Sequence, residues 1–178
     1  MPDSVAGDAV SDPGLKRVNT LAPEEFRAEF ARCLDIDRWV EALLNKRPFA
    51  SRAALLDSAD AHARLITDDE VASALARHPR IGERASGRSA EAKWSRGEQS
   101  AFAEGEAGVQ QAFRTRQAEY ERRFGQIYLV CASGRSSEEL LADIEARMDN
   151  DPAAEARVAA TELRKISQLR IGKVLDTA

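Results

Sequence analysis

Apolar positions along the chain recur at intervals of three and four residues, the spacing that lines one face of a helix, with polar residues filling the gaps. Pro23 followed by Glu24 and Glu25 predicts a helix start, because proline has no N–H to lose in a first turn and acids suit the positive end of the helix dipole. This helix is expected to reach about Leu34. A second is expected over about Asp37 to Lys46, with Trp39, Val40, Leu43 and Leu44 at core spacing and an end forced ahead of Pro48. A third starts near Ser51 and carries Leu55, Ala59, His62 and Ile66 on one stripe. In "TDDEVASALARHP", Thr67 and Glu70 stand at capping-box spacing, which sets the start and register of a fourth helix. Val71, Ala74, Leu75 and His78 then fall at i, i+3, i+4 and i+7, so His78 ends an apolar stripe just where Pro79 stops the helix.

From Ile81 to Lys93 the chain is rich in Gly, Ser and charge, and a mobile loop is expected. Ser95 and Glu98 repeat the capping-box spacing and predict a helical region interrupted near Gly105 and Gly108. Val109, Phe113, Arg116 or Gln117, Tyr120 and Phe124 continue a stripe up to Gly125, a C-cap. The run "IYLVC" at 127–131 is short, apolar and without a partner strand, so it is expected to thread through the core. Ser136 and Glu139 cap a helix carrying Leu140, Leu141, Ile144 and Met148. Asp151 and Pro152 start the last, which runs to about Leu175. The expected architecture is all-α: a single-domain bundle of about eight helices over residues 18–178, after a flexible N-terminal segment of residues 1–17.

Composition fits that picture and narrows the partners. The 178 residues, 43% hydrophobic and 31% charged, supply one ordinary core, and the net charge of -4 argues against the basic face of a nucleic-acid binder. Two cysteines, Cys33 and Cys131, lie far apart with no metal-ligand spacing, so neither a disulfide framework nor a zinc site is indicated. With no signal-peptide pattern, no apolar run of membrane-spanning length and no peroxisomal ending, the expected location is the cytoplasm.

Four positions could carry chemistry. His78 is one of only two histidines, and imidazole exchanges protons near neutrality. On pattern alone the favoured reading is a core or helix-ending histidine, and His62 deserves that reading more strongly. Ser95 and Glu98 are explained by capping, yet a helix N-terminus that presents a hydroxyl and a carboxylate can also hold polar ligand atoms. Arg170 lies seven residues after Leu163 and four after Ile166, which puts a guanidinium on a buried face; it needs an internal carboxylate or an anionic ligand, unless it snorkels at the rim.

The order "HPRIG", "WSRGEQ", "YERRFGQIYLVCASGRSSEELL" and a final helix with "LRI" resembles the 2-oxo-4-hydroxy-4-carboxy-5-ureidoimidazoline (OHCU) decarboxylases of urate degradation, over about Val18 to Leu175. The resemblance implies an all-helical, cofactor-independent and metal-free enzyme, often dimeric, that converts OHCU to (S)-allantoin and carbon dioxide. It makes His78 and Glu98 the catalytic pair. Pro79, Ser95, Gln99 and Arg170 become substrate-binding residues, together with Ile127 and Leu129 of a segment that meets the ligand partly through its backbone. Two departures fall beside the expected site: Gln117 where the family commonly has asparagine, and Gln126 where it has an apolar residue. The competing reading is a non-catalytic helical interaction or regulatory module in which His78 is core, Ser95 and Glu98 only cap, and Arg170 binds a partner's acid.

Overall fold

The structure is a computed structural model, described over residues 11–83 and 90–177. Its described residues form helices joined by turns and irregular segments, with no strand among them. In chain order the helices are α1 (Pro13–Thr20), α2 (Pro23–Ala31), α3 (Asp37–Lys46), α4 (Arg52–Ala63), α5 (Asp68–Ala76), α6 (Ala90–Glu98), α7 (Ser100–Ala103), α8 (Ala107–Phe124), α9 (Ser137–Arg147) and α10 (Pro152–Leu175). The all-α architecture is as expected, with ten described helices rather than about eight. The surplus comes from α1 and from the short α7 that precedes the break at Gly105.

Side-chain caps fix the starts. Thr67 Oγ1 accepts the Glu70 N–H at 3.1 Å while the Glu70 carboxylate accepts the Thr67 N–H at 2.9 Å, completing the capping box. Asp151 accepts the Ala154 N–H at 2.8 Å with Pro152 in the first turn, and Gly125 ends α8 in the left-handed conformation.

Helix α1 corrects the expectation of a flexible segment through residue 17. Asp12 accepts the Leu15 N–H, and Leu15 and Val18 are buried. A Cβ at Gly14 would lie 1.7 Å from the Leu175 carbonyl oxygen, so only glycine lets α1 approach the end of α10 this closely. Residues 1–10 lie outside the described residues.

Two apolar cores result. One gathers α1 to α5 around α10 and includes Phe30, Trp39, Leu55, Leu75 and Leu163; the other joins α7, α8 and α9 through Phe102, Phe113, Tyr120, Leu140 and Ile144. On the α4 stripe Ala63, not His62, takes the inner position, and on α8 it is Gln117 rather than Arg116. The run after α8 passes between the cores: Leu129 packs into the first, Tyr128, Val130 and Ala132 into the second. This seam positions the site.

Candidate active site

His78 sits just beyond α5, its backbone N–H bonded to the Leu75 carbonyl at 3.0 Å. Pro79 blocks further helix, and the chain turns through Ile81 and Gly82, whose φ of 86° favours glycine. Gln99 braces this turn: its Oε1 accepts the Gly82 N–H at 2.9 Å and its Nε2 donates to the Arg80 carbonyl at 3.4 Å. The imidazole is thereby presented to a recess walled by Pro79, Ser95, Glu98, Gln99 and the Tyr128–Ala132 segment. The recess is small, about 370 Å³ with its open mouth included.

Ser95 and Glu98 reach the recess from the interior of α6, not from its start, which corrects the capping expectation. An S-x-x-E spacing is also an i, i+3 spacing, and here Ala92, Ser95 and Glu98 share the inward face of a helix already formed at Ala90. Residues 90–93, expected in a loop, are therefore helical, and Ile81 is buried; the remaining loop positions 84–89 lie outside the described residues.

Behind these two side chains lies Arg170, 3% exposed on α10. Its Nε and Nη2 donate to the two Glu98 carboxylate oxygens at 2.9 and 3.1 Å, and Nη2 also donates to Ser95 Oγ at 3.2 Å. Nη1 donates to the Arg32 carbonyl at 2.8 Å. The internal carboxylate that a buried guanidinium demands is thus Glu98, held in the bidentate geometry that suits arginine. Lys173 adds a second cation, its Nζ 3.4 Å from Glu98 Oε1 and stacked over Trp94.

His78 is the electrostatically unusual member. Burial pushes its pKa from the ordinary 6.5 down to about 4, the nearby Arg170 charge adds to this, and Glu98 and the Pro79 backbone oppose it. The ring is neutral at physiological pH. Its Nδ1 is buried and has no hydrogen-bond partner. An orphaned polar atom on a strongly perturbed group beside a recess is the signature of a functional site rather than of a satisfied core histidine.

Not every expected site residue lines this recess. His78, Pro79, Ser95, Glu98, Gln99 and Leu129 do. Ile127 instead faces a separate surface groove with Leu75 and Arg80, because the segment enters the seam only at Tyr128. Arg170 lines a second small recess with Arg32, Cys33 and His78, its guanidinium being turned toward Glu98 and the Arg32 carbonyl. Neither Gln117 nor Gln126 contributes to the wall. Among the described residues no cluster of three or more His, Cys, Asp or Glu side chains could hold a metal ion.

The family sequence model described as OHCU decarboxylase matches residues 19–172, almost the whole chain. The chain belongs to the OHCU decarboxylase family. A decarboxylase of this name from Amia calva is 30% identical over 165 residues, covering 91% of this chain and 94% of that protein. The "Uric acid degradation bifunctional protein TTL" of Arabidopsis thaliana is 31% identical over 159 residues, 88% of this chain, and the chain spans only 49% of that longer protein. Among solved structures, an OHCU decarboxylase crystallised in the presence of (S)-allantoin superposes with a TM-score of 0.69 at 27% identity, covering 84% of this chain and 98% of the other. In this chain the His78 recess lies at the seam between the two cores.

Proposed function

We propose that this chain decarboxylates OHCU to (S)-allantoin and carbon dioxide in urate breakdown, with the His78 recess as its active site and no cofactor. The observation that carries the reading is the neutral imidazole of His78, its buried Nδ1 without a partner, in one recess with Ser95 and the Arg170-bound Glu98, in a chain of the OHCU decarboxylase family.

The substrate is its own electron sink. When the bond to the carboxylate breaks, its electron pair forms a ring C=C bond, and the π electrons of the adjacent C=N bond pass to nitrogen, which takes up a proton. The resulting enol then loses its hydroxyl proton to become the ring carbonyl, and the neighbouring carbon gains a proton on one face. One proton is consumed overall. Neutral His78 accepts the hydroxyl proton, and the imidazolium so formed, disfavoured by burial, returns a proton readily to carbon; such acid–base help contributes roughly 10²–10⁴-fold. Glu98 stabilises the transient imidazolium, in keeping with its upward pull on the His78 pKa. Ser95 accepts from Arg170 and so presents its own hydrogen to a substrate oxygen. Arg170 orders both residues from behind the recess, and its charge favours the substrate's carboxylate there without touching it. Pro79 and Leu129 wall the ring in, and Gln99 keeps the His78 turn in place.

His78→Gln tests this reading. With OHCU generated in situ from urate by urate oxidase and 5-hydroxyisourate hydrolase, the wild-type chain removes OHCU faster than its spontaneous decay, and the variant, folded, lowers kcat by about 10²-fold or more. A variant that keeps most of its turnover removes His78 from the chemistry. The enzyme is further proposed to act in the cytoplasm as a homodimer. The thiols of Cys33 and Cys131 fit a reducing compartment, and light scattering at twice the 19.5 kDa chain mass tests the assembly.

A further inference from the structure

Behind the recess, on the far side of the 128–132 segment, lies a second buried polar cluster that the chemistry above does not use. Its centre is Arg147, 5% exposed at the end of α9. The Nε of Arg147 donates to Glu155 Oε1 at 2.7 Å, and Glu155, in the first turn of α10, is fully buried. Tyr120 donates its hydroxyl to the same carboxylate oxygen at 2.5 Å, and Asn150 Nδ2 donates to the other at 3.0 Å. Arg147 Nη1 donates to the Leu129 carbonyl at 2.7 Å and lies 3.4 Å from Asp143, which also accepts the Tyr128 hydroxyl. The guanidinium stacks 4.5 Å over the Tyr128 ring. Two residues on, the Cys131 N–H is held by Glu162 Oε1 at 3.4 Å.

A charge this deeply buried is costly, and a core of similar volume could be built from apolar side chains instead. What those side chains could not do is hold a backbone carbonyl. The segment has no strand or helix partner to supply that bond, and Leu129 and Cys131, the two residues whose backbone is gripped, both line the recess. We infer that Arg147 is a positioning residue of this enzyme: its guanidinium, locked between Glu155 and Asp143, fixes the Leu129 carbonyl and with it the wall that the substrate ring meets. Glu162 supplies the second pin at Cys131. The inference rests on the decarboxylase reading.

The wall meets the substrate in the ground state as in the transition state, so loosening it weakens both alike. Arg147→Lys keeps the charge for Glu155, but a single ammonium cannot span both Glu155 and the Leu129 carbonyl. It is expected to raise KM about 10-fold while kcat changes less than about 3-fold. Asn150→Ala removes a bond to Glu155 without touching the wall and provides the control. It is expected to lower Tm comparably and leave KM within about 2-fold of wild type. A wild-type KM in Arg147→Lys, or an equal rise in Asn150→Ala, overturns the inference while the wild-type enzyme's turnover leaves the functional reading intact. Where Arg147→Lys does not fold, Asp143→Asn, at a partly exposed position, carries the same test: KM is expected to rise about 3-fold, and an unchanged KM overturns the inference. A wild-type chain that does not accelerate OHCU loss at all would instead overturn the functional reading, and the positioning role with it.

Discussion

Arg170 with Glu98 and Arg147 with Glu155 are arginine–glutamate pairs that each join two helices and lie almost wholly out of water. Around Arg147 stand two tyrosine rings, the Leu129 carbonyl, Glu155 and Asp143, and neither Arg147 nor Glu155 lines any recess described above. Around Arg170 the pair borders a recess on each side, and the imidazole beside it keeps a buried nitrogen without a partner. The residue types are nearly the same. What separates scaffold from chemistry is access, since a pair that borders no recess can only hold shape while one beside a recess can act on a ligand there.

That contrast can be broken most sharply through stability. Arg147→Met strands Glu155 in the core and is expected to cost about 3–5 kcal/mol in urea unfolding, the usual penalty for orphaning one member of a buried pair. A cost below about 1 kcal/mol would show that the cluster is not the rigid half of the comparison.

Next in size is a pH effect confined to the open site. An unfolded histidine takes up its proton near 6.5, whereas folded His78 does so only near 4. The unfolded state therefore binds more protons between these values. The contribution is fully present above about pH 6.5 and is lost as pH falls toward 4, by on the order of 3 kcal/mol. Unfolding of wild type and His78→Gln at pH 7 and 4.5 isolates it from the carboxylates. The wild type must lose more stability than the variant, and equal losses would mean that His78 is not held neutral by burial.

The smallest effect concerns Lys173, which contacts the same Glu98 oxygen as Arg170 from a side chain that is 30% exposed. Pairs this open contribute at most about 1 kcal/mol, so Lys173→Met is expected to change Tm little and kcat/KM by about 5-fold or less. A loss as large as that expected from His78→Gln would place Lys173 among the reacting groups.

Much of the scaffold was legible because its signals are local. Asp37–Lys46 and Pro152–Leu175 fall where Pro48, Asp151 and Pro152 put them, and Thr67 with Glu70 sets α5 through bonds made within three residues. The stripe from Val71 to Leu75 likewise pointed to His78, which lies two residues beyond α5, and the spacing from Leu163 to Arg170 pointed to a buried guanidinium with a position at the rim as the alternative. Ser95 and Glu98 were misread as a cap because one spacing serves both a helix start and an inner face, and only the distant partner Arg170 decides between them. Arg147 was overlooked for a related reason. It falls seven residues after Leu140 and three after Ile144, the same kind of signal that singled out Arg170, but its meaning depends on Glu155 and on a carbonyl of a segment without regular structure. Long-range polar pairing is where local pattern stops informing.

The central claim is that the His78 recess controls proton delivery to one face of the product. Circular dichroism of the allantoin formed from OHCU generated in situ tests it most directly. With the wild-type chain present, the account predicts rapid appearance of the (S)-allantoin signal, and with His78→Gln a slow rise of optically inactive product. Racemic allantoin formed at the spontaneous rate with the wild-type chain would contradict it.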